Sequence, residues 1–270
     1  MSALLVTGAT GTLGRHVVRQ LQSRNANIRA FVRKTDPELG RLQQFVGDIR
    51  TGSGLSEAVE GVDAIVHCAT FFEPGNITDL AGARHLLRAA SGAGSPHLVY
   101  ISIVGIDQSE FSYFQSKLEI ERMIEQSGLP HTILRATQFH DFVFKMIKSF
   151  EDDQAGVMRV PPRLRFQTIA SDEVAEKLVD IALNRSVGRA PDMAGPEVLS
   201  LEAMVDTFKD VFRKPHVIEP DARDTTSYDA FRSSATLAPD RAVGRMTWDT
   251  FLQRQVQADG ERTARPGAHG

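Results

Sequence analysis

Short apolar runs alternate with longer stretches of helical period through the first half of the chain. Ala3–Thr7 (ALLVT) reads as a strand and leads into a segment with Leu13, Val17, Val18 and Leu21 on one helical face. Further strands are predicted at Ile28–Arg33, Gln43–Asp48, Asp63–Ala69, His97–Gly105 and His131–Ala136, with helices around Ile77–Ala90 and Tyr113–Gln126. Strands that are apolar almost throughout need cover on both faces, and intervening helices supply it. The pattern therefore predicts an α/β fold, a doubly wound parallel sheet.

After Thr137 the alternation weakens. Val157–Pro162 (VMRVPP) and Phe166–Ala170 (FQTIA) predict short strands. Ser171–Asn184 predicts a helix with Ser171 as N-cap and Val174, Leu178, Ile181 and Ala182 on its apolar side. Ser200–Phe212 predicts another, and Trp248 is expected to anchor a final helix. Three regions follow: a main domain over 1–150, a smaller C-terminal substrate-side region over 151–257 packed on the sheet's carboxyl edge, and a polar, aperiodic tail over 258–270 expected to be disordered.

Composition removes several classes of function. The chain is 41% hydrophobic and 24% charged with a formal net charge of −3, so no basic face for nucleic acid or an anionic membrane is expected. One cysteine, Cys68, can build neither an internal disulfide nor a cysteine-rich zinc site, and the eight histidines are scattered, so no metal site is expected. No stretch approaches the roughly 20 apolar residues of a membrane span, and no basic leader precedes the first strand. A cytoplasmic location is expected.

Candidate chemistry begins at Thr7–Gly14 (TGATGTLG), where Gly8, Gly11 and Gly14 follow the first strand and open the first helix. In this setting one glycine permits the tight turn, one lets a pyrophosphate approach the backbone, and one permits close helix–strand packing. The helix's free amides and positive dipole end then favour phosphate. A loop that merely tolerates glycine is the alternative. The end of the second strand holds Arg33 and Lys34, with no carboxylate until Asp36. A guanidinium there suits a 2′-phosphate, so NADP(H) is expected in preference to NAD(H); two solvated surface charges are the alternative. Tyr113 and Lys117, four apart on a predicted helix, share one face. An ammonium beside a phenol favours its ionised form, and such a tyrosine could deliver a proton to a carbonyl oxygen.

The segments TGATGTLG, FVRK, Gly47-Asp48, VYISIVG, YFQSK and ILRATQFHDF together resemble the short-chain dehydrogenase/reductase superfamily, and most of all its atypical, NmrA-like NAD(P)-binding branch. The resemblance runs over about residues 3–145 and implies a Rossmann-type fold. It implies that Gly8, Thr10, Gly11, Thr12, Leu13 and Gly14 form the pyrophosphate loop, that Asp48 reads the adenine amino group, and that Cys68, Ala69 and Thr70 line the cofactor. It makes Tyr113 and Lys117 the catalytic pair, with Lys117 also on the nicotinamide ribose. The superfamily's serine falls at Ile103, one residue beyond Ser102, and isoleucine donates no hydrogen bond. The loop carrying Arg135, Thr137, Gln138 and His140 falls beside the expected nicotinamide, with Gln138 and His140 as candidate substrate contacts or, alternatively, structural closures. Phe139, Phe142, Phe144, Phe150 and Phe166 either wall an apolar pocket or form core. Cys68 reads as a buried small residue rather than a nucleophile.

Two functions are compatible with these residues. One is an NADPH-dependent oxidoreductase reducing a small apolar carbonyl, enone or quinone. The other is a non-catalytic NADP(H)-binding redox sensor that reports to a protein partner. A homodimer is compatible with the fold.

Overall fold

All six strands predicted for the first half form. In the computed structural model, residues 3–71, 77–221 and 226–263 are described. The chain runs β1 (Ala3–Thr7), α1 (Thr12–Ser23), β2 (Asn27–Val32), β3 (Gln43–Val46), α2 (Leu55–Val59), β4 (Ala64–His67), α3 (Ile77–Gly92), β5 (His97–Ile103), α4 (Ser112–Gln126) and β6 (His131–Ala136). It continues through α5 (His140–Lys148), β7 (Glu151–Asp152), β8 (Val157–Val160), β9 (Arg165–Phe166), α6 (Ser171–Ala182) and β10 (Gly188–Arg189). It ends with β11 (Leu199–Ser200), α7 (Leu201–Phe212), β12 (Val217–Pro220), α8 (Thr226–Arg232) and α9 (Trp248–Thr263).

Two units result. The first comprises residues 1–136 and 171–193, the second 137–170 and 194–270. The first is built on a seven-stranded sheet of order β10-β6-β5-β4-β1-β2-β3, in which every pair is parallel. Successive strand residues point to opposite faces. Leu5, Ile65, Leu98, Tyr100 and Ile133 thus join one core with residues of α2, α3 and α4. On the other face, α1 and α6 pack together over the strands, with Leu13, Val17, Val18 and Leu21 buried as predicted. The strand order changes direction between β1 and β4, and ligands bind such sheets in the crevice at this switch point.

The second unit holds a three-stranded sheet, β12-β8-β7, and the two-stranded pair β11-β9. Its core is aromatic: Phe144 lies against Phe208, Phe212 and Phe251 at centroid distances of 5.7–5.9 Å. Trp248 is fully buried and donates its indole N–H to the Met204 carbonyl at 3.0 Å.

The division departs from the boundary expected at residue 150. The helix at 171–182 belongs to the sheet unit because its buried Val174, Leu178, Val179 and Ile181 complete the cover over α1, and β10 extends the sheet edge beside β6. The expected tail is also shorter: α9 continues through residues 258–263, because extending an anchored helix adds a hydrogen bond per residue without a new nucleus. Residues 264–270 lie outside the described residues.

Candidate functional site

At the carboxyl end of β1, each glycine of the loop has a distinct physical duty. Gly8 has φ +68°, and a Cβ there would lie 2.6 Å from the Ala69 backbone N. A Cβ on Gly14 would lie 2.0 Å from the Gly8 carbonyl oxygen, so the first turn of α1 packs directly on the loop. Gly11 is exposed, and its nearest neighbour would be only the Gly8 oxygen at 3.3 Å. Backbone thus meets backbone at two glycines, while the third leaves the approach open. Thr10 and Thr12 are exposed beside it and Leu13 is buried beneath. The N-cap Gly11 offers α1 no side-chain cap, and no acidic residue occupies the first turn. The cradle fits a pyrophosphate.

Arg33 and Lys34 follow β2, both exposed and, among the described residues, without an ion pair. The Arg33 guanidinium lies 5.9 Å over the Phe71 ring. Asp36, the first carboxylate beyond them, is held by Arg15 at 3.0 Å, and Arg15 also pairs with Glu38. Asp48 accepts from the Arg50 backbone and guanidinium at 2.5–3.0 Å. The side-chain hydrogen bond from Arg50 is the main influence holding its carboxyl below the usual range, against some opposition from burial.

After β4 the chain reaches Cys68, Ala69 and Thr70. The Ala69 N–H donates to Thr7 Oγ1 at 3.4 Å, and Thr7 Oγ1 is 2.7 Å from Nδ1 of buried His67. Burial, assisted by the Lys117 charge, pushes the His67 pKa down to about 4. Cys68 is half-buried rather than buried as expected; desolvation, opposed by the Lys117 charge, pushes its thiol up to about 12, which disfavours the thiolate.

Tyr113 and Lys117 meet as their spacing predicts, through an intermediary. Lys117 Nζ donates to Thr70 Oγ1 at 2.9 Å, and Tyr113 OH lies 3.2 Å from the same oxygen. Asp79, on α3, binds the other side. Its Oδ2 accepts from Thr70 Oγ1 at 2.6 Å and lies 3.1 Å from Lys117 Nζ, and its Oδ1 accepts from the Phe71 N–H at 2.7 Å. Lys117 and Asp79 are both buried. Burial opposes the Lys117 ammonium, but Tyr100, Tyr113 and Asp79 outweigh it, and the pKa stands above the ordinary lysine value. The Asp79 carboxylate is the ammonium's ion-pair partner. Nothing local to Asp79 marks it out: an acidic residue in a helix's first turn is commonplace.

Ile103 closes β5, half-buried and without a donor. Ser102 is buried beside Glu121, eight residues beyond Tyr113 on α4.

Two residues expected beside the nicotinamide are committed elsewhere. Arg135 donates from Nε and Nη2 to buried Glu121 at 2.9 and 2.8 Å and from Nη1 to Asp107 at 2.5 Å. A buried guanidinium so engaged is structural. His140 is 1% exposed, lies 5.0 Å from the Phe251 ring and 5.8 Å from Trp248, and has Nε2 3.0 Å from the Met246 carbonyl. It is core, and no substrate contact is open to it. Phe144, Phe150 and Phe166 are likewise packing residues, whereas Phe142 is 39% exposed. Gln138 is half-buried, with an Nε2 that has no partner among the described residues. Elsewhere in the second unit Glu151, Asp153 and His216 cluster within 4.8 Å, but Lys214 pairs with Glu151 and His216 Nε2 lies 3.0 Å from Asp153.

A parallel sheet with a glycine cradle at its switch point defines a protein that binds a nicotinamide dinucleotide. The chain belongs to the NAD(P)H-binding family, whose pattern residues 8–185 match, in agreement with the resemblance to atypical short-chain dehydrogenase/reductases. The photosystem II assembly factor Ycf39 of Trieres chinensis is 28% identical over 149 residues, 51% of this chain; the match spans 46% of that protein's length. The NADPH-dependent quinone oxidoreductase QOR2 of Escherichia coli, solved with NADPH, has a similar fold with TM-score 0.78 and 16% identity, covering 94% of this chain and 99% of that one. The Citrobacter sp. triphenylmethane reductase, solved with NADP(H), gives TM-score 0.74 and 18% identity over 94% of this chain and 99% of its own. At these identities the likeness is one of fold. Among the described residues no helix is long and apolar enough to cross a membrane.

Proposed function

We propose that the protein is an NADPH-dependent reductase of a small apolar carbonyl, enone or quinone. The observation that carries this reading is the Tyr113 phenol, bonded through Thr70 to a buried lysine at the carboxyl edge of the sheet beside the glycine cradle. Reduced nicotinamide, when bound, supplies the hydride. The loop amides of α1 hold the pyrophosphate. Arg33 and Lys34 hold the 2′-phosphate, and Asp36 does not compete for a ribose hydroxyl because Arg15 engages it. Tyr113 gives its proton to the substrate oxygen, and Lys117 favours the phenolate left behind. QOR2 and the triphenylmethane reductase, which share the fold, act on quinones and triphenylmethane dyes, and a conjugated substrate is in keeping with them. The test is titration of the apoprotein with NADPH, NADP, NADH and NAD, then NADPH oxidation with a panel of quinones, enones and aldehydes. Activity is expected with NADPH and is lost in Tyr113→Phe; full activity of that variant on every accepted substrate overturns the mechanism.

A second reading rests on Ile103, which removes the superfamily's usual donor, and on the assembly-factor relative. Here the protein binds NADP(H) without turnover and reports the redox ratio to a protein partner. Since a ligand shifts an equilibrium only through differential affinity, equal affinity for NADPH and NADP would eliminate it.

A further inference from the structure

We infer that Thr70 takes the place of the absent serine as the positioning residue for Tyr113, with a hydroxyl hydrogen that serves Asp79 before proton transfer and Tyr113 after it. The inference rests on the reductase reading.

The donor inventory carries it. A threonine hydroxyl has one hydrogen and two lone pairs, and three groups reach Thr70 Oγ1. Lys117 Nζ, at 2.9 Å, can only donate. The Asp79 carboxylate, at 2.6 Å, can only accept, so it takes the hydrogen. One lone pair remains for Tyr113 OH at 3.2 Å, and the set closes only if the tyrosine donates. The phenol therefore rests with its proton on, as a proton donor must.

Proton delivery breaks the Tyr113 O–H bond and forms an O–H bond on the substrate oxygen; reduced nicotinamide, when bound, would supply the hydride for the substrate carbon and be left oxidised. The phenolate oxygen then accepts where the phenol had donated. Rotation of the Thr70 hydrogen from Asp79 to Tyr113 supplies a donor without breaking a covalent bond. Asp79 keeps Lys117 at 3.1 Å and the Phe71 N–H at 2.7 Å throughout, so the rotation leaves no buried charge alone. Water returns the proton to Tyr113, which is half-buried beside exposed Thr70.

Thr70→Val keeps the shape and removes the hydroxyl; Thr70→Ser keeps the hydroxyl. Two readouts apply: the NMR signal of Tyr113 in apoprotein labelled at tyrosine Cζ, and kcat and KM for NADPH with menadione. The chain has three tyrosines, and Tyr113→Phe assigns the signal. Thr70→Val is expected to move the Tyr113 signal and lower kcat about 10²-fold, the loss typical of one missing oxyanion donor, with a smaller effect on KM. Thr70→Ser is expected to restore both. An unmoved signal in Thr70→Val, or a Thr70→Ser variant as impaired as Thr70→Val, overturns the assignment. If the parent protein does not turn over, or Tyr113→Phe retains full turnover, the reductase reading falls, and the NMR comparison alone decides whether Thr70 holds Tyr113.

Discussion

Replacing the buried Glu121 carboxylate, shared by Arg135 and Arg189, tests how much one buried ion pair contributes to the sheet unit. Glu121 is 1% accessible and accepts from Arg135 at 2.9 and 2.8 Å and from Arg189 at 2.7 Å. Glu121→Gln keeps the volume, removes the charge and turns an amide donor toward a buried guanidinium. Breaking a buried pair by removing one partner costs about 3–5 kcal/mol, because the other charge stays buried. Arg189 is half-exposed and regains water, so its loss adds little. Asp107 still pairs with Arg135 but is itself half-exposed, which places the expected cost at the lower end, about 3 kcal/mol. With a urea slope of about 3 kcal/mol/M, the midpoint should fall by about 1 M. Urea unfolding followed by far-UV circular dichroism checks it. The double variant Glu121→Leu/Arg135→Leu should be milder than Glu121→Gln, since no charge is left buried. An unchanged midpoint in Glu121→Gln, or a double variant worse than the single one, would refute the reasoning. The pH dependence has a definite sign. Burial pushes the Glu121 carboxyl up, but Arg135 and Arg189 more than offset this and hold it below its ordinary value. Its contribution is therefore complete above the unfolded-state value of about 4.3 and is lost as pH falls through the depressed folded value. Glu121→Gln should flatten that acid limb.

Three further expectations follow from the same geometry. Gly14→Ala places a Cβ 2.0 Å from the Gly8 carbonyl oxygen, so the loop must open; calorimetric titration should show NADPH binding weakened at least about tenfold, and parental affinity would contradict the close packing. Arg33→Ala should weaken NADPH binding by about 10–100-fold, the equivalent of about 1.5–3 kcal/mol of charge-assisted hydrogen bonding, while leaving NADH unchanged; equal losses for both would show that Arg33 does not read the 2′-phosphate. His67, held neutral to about pH 4 chiefly by burial, binds in the folded state no proton that the unfolded chain takes up near its ordinary value of 6.5. Stability should thus decline on acidification from about pH 6.5 toward 4, by about 3 kcal/mol at full extent, and His67→Gln should lose that component. Equal declines in parent and variant, by urea unfolding at pH 7 and pH 5, would count against it.

What could be read from the sequence was whatever local period encodes. The apolar face of α1, the close-packed glycines at the end of β1 and the shared face of Tyr113 and Lys117 all depend on spacings within a few residues; that the two side chains meet only through Thr70 does not. The errors share one cause, a partner distant in sequence. His140 follows a strand that ends at the ligand edge, but its place is fixed by Trp248 and Phe251, more than a hundred residues on. Arg135 follows the apolar pair Ile133-Leu134 in its strand, and that was a usable signal: a charge amid buried neighbours requires a buried counter-charge, which Glu121 provides. β10 has two residues, Gly188 and Arg189, and no apolar run to announce it. Asp79 joins Thr70 and Lys117 only once β4, α3 and α4 are in place, so no spacing rule reaches it.

The sheet unit is interrupted in sequence, its last helix and edge strand arriving only after residue 170. This sets how such a gene can recombine. The chain crosses between units after residues 136, 170 and 193, so a single crossover cannot exchange one unit intact for another. A break at 136 leaves the apolar side of α1 without α6, and a break at 193 carries the stretch 137–170 away from the remainder of its own unit. Change is therefore expected to enter by substitution within one inherited whole, and shuffled hybrids should survive only with paired exchanges.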